Sequence, residues 1–255
     1  MAKPTKRTKP TKSDRQAVLD ELRKKQKGAE KRRGFAIAGV VGLVAVLIVA
    51  AAAYRPVMNW WDLRKLKDLD LASIGAPASA CEKAETEQAE GSGKHEKLSK
   101  QITYDHAPPA FGSHWSEPGK APAPISRKLY TEKDRPELEA LVHNLEHGYT
   151  ILWYDETAAG DAAMMTDIEG IADKFRSDPE DSASKFIAVP WTSDDTDESG
   201  SFPSGHIAYT HWSVSGSGGD NQQGVWQYCS EPSGAALEAF MIDYPYSDSP
   251  EPSAP

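Results

Sequence analysis

The sequence predicts an α+β domain, a mixed β-sheet with packed helices, behind one transmembrane helix. Three observations predict it. An uninterrupted apolar run, GFAIAGVVGLVAVLIVAAAAY (34–54), separates a basic arm from an acidic remainder. Beyond it, short runs rich in β-branched and aromatic residues alternate with amphipathic helical windows. Their order, β-α-β-α-β-β-(β)-α, is that of helices packed on a mixed sheet and is compatible with a thioredoxin-like topology. No CxxC is present, so redox chemistry of the thioredoxin kind is not supported.

Residues 1–33 carry 13 Lys/Arg against 4 Asp/Glu, a cytoplasmic basic arm by the positive-inside rule. Its first 12 residues read as disordered, and 14–33 as a juxtamembrane helix suited to anionic lipid. Residues 34–54 are long enough, at ~1.5 Å per residue, to span one bilayer core. A cleavable signal peptide has a shorter apolar region and a shorter basic one, so the run reads as an uncleaved anchor in the cell membrane. Residues 55–80 form a stalk and linker, with Trp60 and Trp61 at the far interface. The compact domain then spans 81–245, outside the membrane, and 246–255 is a Pro/Ser-rich tail expected to be disordered. The chain's net charge is −9 and residues 55–255 sum to −18, which excludes nucleic acid as a partner of this part. The bilayer, and another envelope protein, are the partners left open.

Within the domain, EKAETEQAEGSGKHEK (82–97) is polar and irregular, and QITY (101–104) is a strand. RPELEALVHNLEH (135–147) is a helix ended by Gly148, followed by the strand YTILWY (149–154). AAMMTDIEGIADKF (162–175) is a helix, KFIAVPW (185–191), HIAYTHW (206–212) and GVWQY (224–228) are strands, and ALEAFMIDY (236–244) is the last helix. Cys81 and Cys229 both fall outside the membrane, where a disulfide closing the two ends of the domain is expected. Two unpaired buried thiols are the alternative.

At about 100° per residue, Leu138, Leu141, Val142 and Leu145 share one helix face, while His143 and His147 share the opposite one. An i, i+4 histidine pair can share one ion, or can simply be a solvated polar face. Glu146 is a ligand, a partner orienting an imidazole, or a structural acceptor. A second stretch, YDHAPPAFGSHW (104–115), presents His106 and His114 on a proline- and glycine-stiffened loop.

Pro108-Pro109, Gly112-Ser113-His114 and the unbroken segment Val142-His143-Asn144-Leu145-Glu146-His147-Gly148 resemble the domain of unknown function 3105 family, membrane-anchored proteins of high-GC Gram-positive bacteria. The resemblance covers roughly residues 95–245. Ala110-Phe111 stands where the family has one small residue, and His211 stands where it has alanine. The family has no settled activity, so the resemblance implies no reaction. It does group His114, His143 and His147 as ligands, which with Glu146 suit copper or zinc. Met164 and Met165 would add a soft donor for copper, although methionines on an amphipathic helix are usually core filler. His95, His106, His206 and His211 read as surface or structural, and His206 and His211 point to opposite faces of a strand.

Three functions compete. The first is a membrane-anchored extracytoplasmic metal-binding domain. The second is a non-catalytic envelope interaction module whose histidines only make hydrogen bonds. The third is a zinc hydrolase in which His143 and His147 hold the metal and Glu146 is the general base of an H-x-x-E-H helix. The acidic stretch TSDDTDESGSFPSG (192–205) lacks a calcium-loop pattern and reads as a solvated loop.

Overall fold

The computed structural model describes residues 12–89, 93–176, 185–215 and 221–254. The chain divides into two compact units, 1–58 and 59–255. Helix α1 (Lys12–Leu66) runs through the whole of the first unit's described part and into the second. Its apolar window has a mean hydropathy of 2.8 and is 0% buried, so the helix is long and apolar enough to cross a membrane. The first residues of the expected basic arm lie outside the described part.

The second unit is built on a five-stranded mixed sheet in the order β1-β7-β6-β4-β5. Its strands are β1 (Glu85–Gln88), β4 (Thr150–Tyr154), β5 (Phe186–Pro190), β6 (Ile207–Ser213) and β7 (Gln223–Cys229). A two-stranded parallel ribbon, β2 (His95–Glu96) and β3 (His114–Trp115), lies apart from it. The helices are α2 (Leu138–Glu146), α3 (Glu156–Gly160), α4 (Ala162–Lys174), α5 (Ser193–Ser199) and α6 (Gly234–Asp243). β4 and β5 are parallel and joined across α4, while β6 runs antiparallel to both β4 and β7. That connectivity, closed by α6, agrees with the thioredoxin-like topology expected from the order of elements.

Strand alternation divides the core in two. Ile151, Trp153, Ile187, Val189 and Trp212 face α2, through Leu138, Leu141, Val142 and Leu145. Leu152, Tyr154, Phe186, Ala188 and Tyr209 face α4 and α6, through Ile168, Ile171, Leu237 and Phe240. Met164 and Met165 pack against this second side, so they fill core there. Lys174 caps the carbonyls of Leu66 and Lys67 at 3.0 and 2.9 Å, ending α1.

Three expectations change. QITY is not a strand. The added edge is β1, whose four side chains are all exposed, so ladder hydrogen bonds to β7 hold it where hydrophobic alternation gives no signal. The acidic stretch 192–205 contains α5, started by a Thr192–Asp195 capping box, and Asp195 pairs with Arg135 at 2.9 Å, using its carboxylate for structure instead of calcium. The cysteines are bonded as expected, Cys81 to Cys229, across a sequence separation of 148.

The third change is the tail, which is laid against the domain despite its Pro/Ser composition. The buried Lys185 ammonium donates to the carbonyls of His147, Pro252 and Ala254 at 2.8, 3.0 and 2.7 Å. The backbone N–H of Glu251 donates to the Glu146 carbonyl at 2.9 Å. His211, buried in β6, lies 3.2 Å from the Tyr149 carbonyl and 3.0 Å from that of Asp248, so it fastens the tail and is no ligand. Lys185→Met takes the donor from three carbonyls, that of His147 buried and the other two part-buried, and is expected to cost about 2 kcal/mol. Amide exchange across residues 246–254 should then rise at least tenfold at unchanged pH; exchange as slow as in the wild type would refute the lysine's part.

Candidate metal centre

The centre begins with the helix that carries HNLEH. α2 ends at Glu146 because Gly148 adopts φ +91, a left-handed conformation that L side chains rarely take. A Cβ there would also lie 2.3 Å from the Tyr246 carbonyl oxygen, so glycine lets the tail approach. The histidine face is covered, so the solvated alternative does not hold. His143 and His147 are each 5% exposed and Glu146 is 4% exposed. The covering segments are the loop that carries His114 and the C-terminal tail, neither of which helix periodicity can reveal.

The loop is shaped by Tyr104, whose hydroxyl donates to the Ser113 carbonyl at 2.7 Å. Gly112, at φ +139, lies flat against the Tyr104 ring, where a Cβ would come within 3.0 Å. This turn delivers His114 to β3, and the pairing with β2 sets His95 in register beside it. Ring centroids of His95 and His114 are 4.8 Å apart, those of His114 and His143 4.9 Å, and those of His95 and His143 5.4 Å.

Two carbonyls of the same loop fix two imidazoles. His114 Nδ1 donates to Gly112 at 2.9 Å, and His143 Nδ1 donates to Trp115 at 2.6 Å. A carbonyl only accepts, so each Nδ1 carries a proton, and a ring without a second proton turns its Nε2 lone pair the other way. Metal-bound histidines are oriented by such partners. His114 Nε2 is fully buried and has no hydrogen-bond partner, although Glu146 Oε2 lies only 2.9 Å away. Two acceptors facing each other at that distance repel. A second proton on His114 or a cation between them resolves the conflict.

Glu146 Oε2 also lies 3.3 Å from His95 Nε2. Burial alone raises the Glu146 carboxyl; where the His114 and His95 rings carry the Nε2 proton and donate to it, they outweigh burial and hold the group down to about 2. Burial, reinforced by His147 and His114, pushes His143 down to about 4, which keeps its ring neutral near pH 7. One ligand atom each from His95, His114, His143 and Glu146 lies within 4.8 Å of the others. His147 groups instead with Glu146 and Glu251.

The structure thus brings together His114, His143 and Glu146 and adds His95, which stands in a polar segment with no pattern to mark it. The H-x-x-E-H reading of a hydrolase needs His143 and His147 on one ion with Glu146 behind as base. Here Glu146 faces His114 and His95, where a ligand would stand. Elsewhere, His106 lies 3.2 Å from Glu87 and packs on Trp226, and His206 lies 2.8 Å from Asp155.

Residues 95–254, more than half of the chain, match the family model described as a protein of unknown function, DUF3105. The matched span starts at His95 and includes Glu251. No curated protein and no solved structure matches the chain.

Proposed function

The chain belongs to the DUF3105 family, and we propose that this member is a membrane-anchored, extracytoplasmic domain that binds a transition metal, zinc or copper, through His95, His114, His143 and Glu146. The observation that carries the reading is His114. Its Nδ1 is committed to a carbonyl, and its buried Nε2 points at a carboxylate with which it makes no hydrogen bond. A divalent cation satisfies both groups at once.

The donor set is imidazole and carboxylate, which suits Zn(II) or Cu(II) more than Cu(I), an ion that favours sulfur. Anchoring and orientation rest on the apolar helix and on the basic flank ending Lys31-Arg32-Arg33. The disulfide fits an oxidising compartment. The rival reading takes the same 2.9 Å contact as a buried ion pair between a doubly protonated His114 and Glu146.

The full chain, purified in detergent and dialysed against zinc or copper(II), is expected to retain at least one ion in the four-donor centre. His143→Ala, which removes a ligand whose orientation is already fixed, should weaken binding about 100-fold or more. Elemental analysis and competition with a chromogenic chelator measure both. A wild-type chain that retains no ion would establish the ion pair instead.

A further inference from the structure

We propose that Glu146 is a bridging carboxylate, and that His147 and Glu251 hold a second divalent cation beside the first, giving a two-metal centre. The inference rests on the metal-binding reading above and extends it to residues outside the four-donor set.

His147, Glu146 and Glu251 each offer an atom within 4.8 Å of the others, and Glu146 is common to both groups. A carboxylate has two oxygens and can give one to each of two ions. Ions bridged in this way stand about 3.5–4 Å apart in two-metal sites. Glu146 Oε2 is the oxygen nearest His114 and His95, at 2.9 and 3.3 Å, and a bridging carboxylate would give its other oxygen to the second ion.

The His147–Glu251 contact has the spacing of two ligands. His147 Nε2 and Glu251 Oε2 are 3.6 Å apart, too far for a hydrogen bond. Two donors bound at ~2.0–2.2 Å to one tetrahedral ion stand about 3.3–3.6 Å from each other. A surface ion pair is the plain alternative, since the Glu251 side chain is 51% exposed. The backbone argues for a built site. Glu251 N–H donates to the carbonyl of Glu146 itself, at 2.9 Å. Lys185 gathers the carbonyls of His147, Pro252 and Ala254 on one ammonium. The residue after Glu251 and the backbone of His147 therefore share one anchor, which fixes the carboxylate beside the ring. The half-exposed edge at Glu251 leaves room for water to complete the coordination.

Zinc is the probe. The full chain in detergent is stripped with a chelator, loaded with zinc, desalted and counted by elemental mass spectrometry. The wild type should hold two zinc ions per chain and Glu251→Gln one. Because Glu251 is half exposed, this variant keeps the fold, which circular dichroism checks. One ion in both proteins would overturn the bridge and leave the four-donor centre standing. Two ions in both would overturn it as well, since the second would then sit away from Glu251. No ion in the wild type would overturn the four-donor reading beneath it.

Discussion

Reducing the Cys81–Cys229 disulfide is expected to destabilise the second unit by about 5 kcal/mol, the loop-entropy value for a closed loop of 148 residues. The sequence separation sets this size: a cross-link that long removes most of the freedom with which the two ends of the domain wander apart when unfolded. The native contacts make the tie matter locally too. β1 packs no buried side chain, so its place on the sheet edge depends on backbone bonds to β7. Those bonds are continued by Glu82 N–H to the Tyr228 carbonyl at 2.8 Å and Ser230 N–H to the Ala80 carbonyl at 2.9 Å, one on each side of the disulfide. Cutting the link frees the segment before β1 at both scales. At ~2–4 °C per kcal/mol for a unit of this size, the thermal midpoint should fall by about 10–20 °C. Scans with and without reductant, and of the Cys81→Ser, Cys229→Ser double variant, measure it. A fall of less than about 3 °C would show that the segment is held by its other contacts and that the entropic account fails here.

What could be read from the sequence, and what could not, follows from how each element is held. β4 to β7 and α2, α4 and α6 bury apolar faces, and burial leaves a period in the sequence. YTILWY and HIAYTHW therefore announce themselves within a residue or so of the observed strands. β1 is held by main chain alone, and main-chain bonding has no residue signature. The tail composition describes a segment poor in apolar side chains, but its fastening uses carbonyls, which every residue has, gathered by one lysine more than 60 residues away in sequence. The metal site divides in the same way. Helical spacing marks His143 but pairs it with His147, which lies in the other group, while Glu146 is open as ligand, orienting partner or structural acceptor and His114 joins them through the family resemblance. His95 reaches the site through a two-residue parallel pairing with β3, too short to leave a pattern. Glu251 arrives on the tail, so nothing before the fold connects it with His147.

Asn144 is expected to be the costliest polar residue of the HNLEHG segment to remove for stability, at about 3 kcal/mol for Asn144→Ala, although it belongs to neither donor group. It is fully buried, and its two side-chain ends close on the backbone N–H and carbonyl of one residue. Oδ1 accepts from the Ala123 N–H at 2.8 Å, and Nδ2 donates to the Ala123 carbonyl at 2.9 Å. Ala121 and Ala123 are buried, so the loop they belong to cannot turn those groups to water without leaving its place. Truncation leaves a donor and an acceptor unpaired at ~1–3 kcal/mol each, with partial relaxation reducing the sum. Asn144→Asp keeps the shape but turns the donor into a carboxylate facing a carbonyl, so it should be no better than alanine. Denaturant unfolding of the three metal-free proteins gives the stabilities, and zinc counting on the folded fraction gives the occupancy. The two readouts should separate: a large loss of stability with zinc stoichiometry unchanged, because Asn144 points to the Ala123 loop while its neighbours His143 and Glu146 belong to the four-donor group. A stability change under about 0.5 kcal/mol would mean that the loop is held elsewhere. Loss of zinc from a folded Asn144→Ala chain would mean that the Ala123 loop, not the 112–115 turn alone, sets the geometry of the histidines.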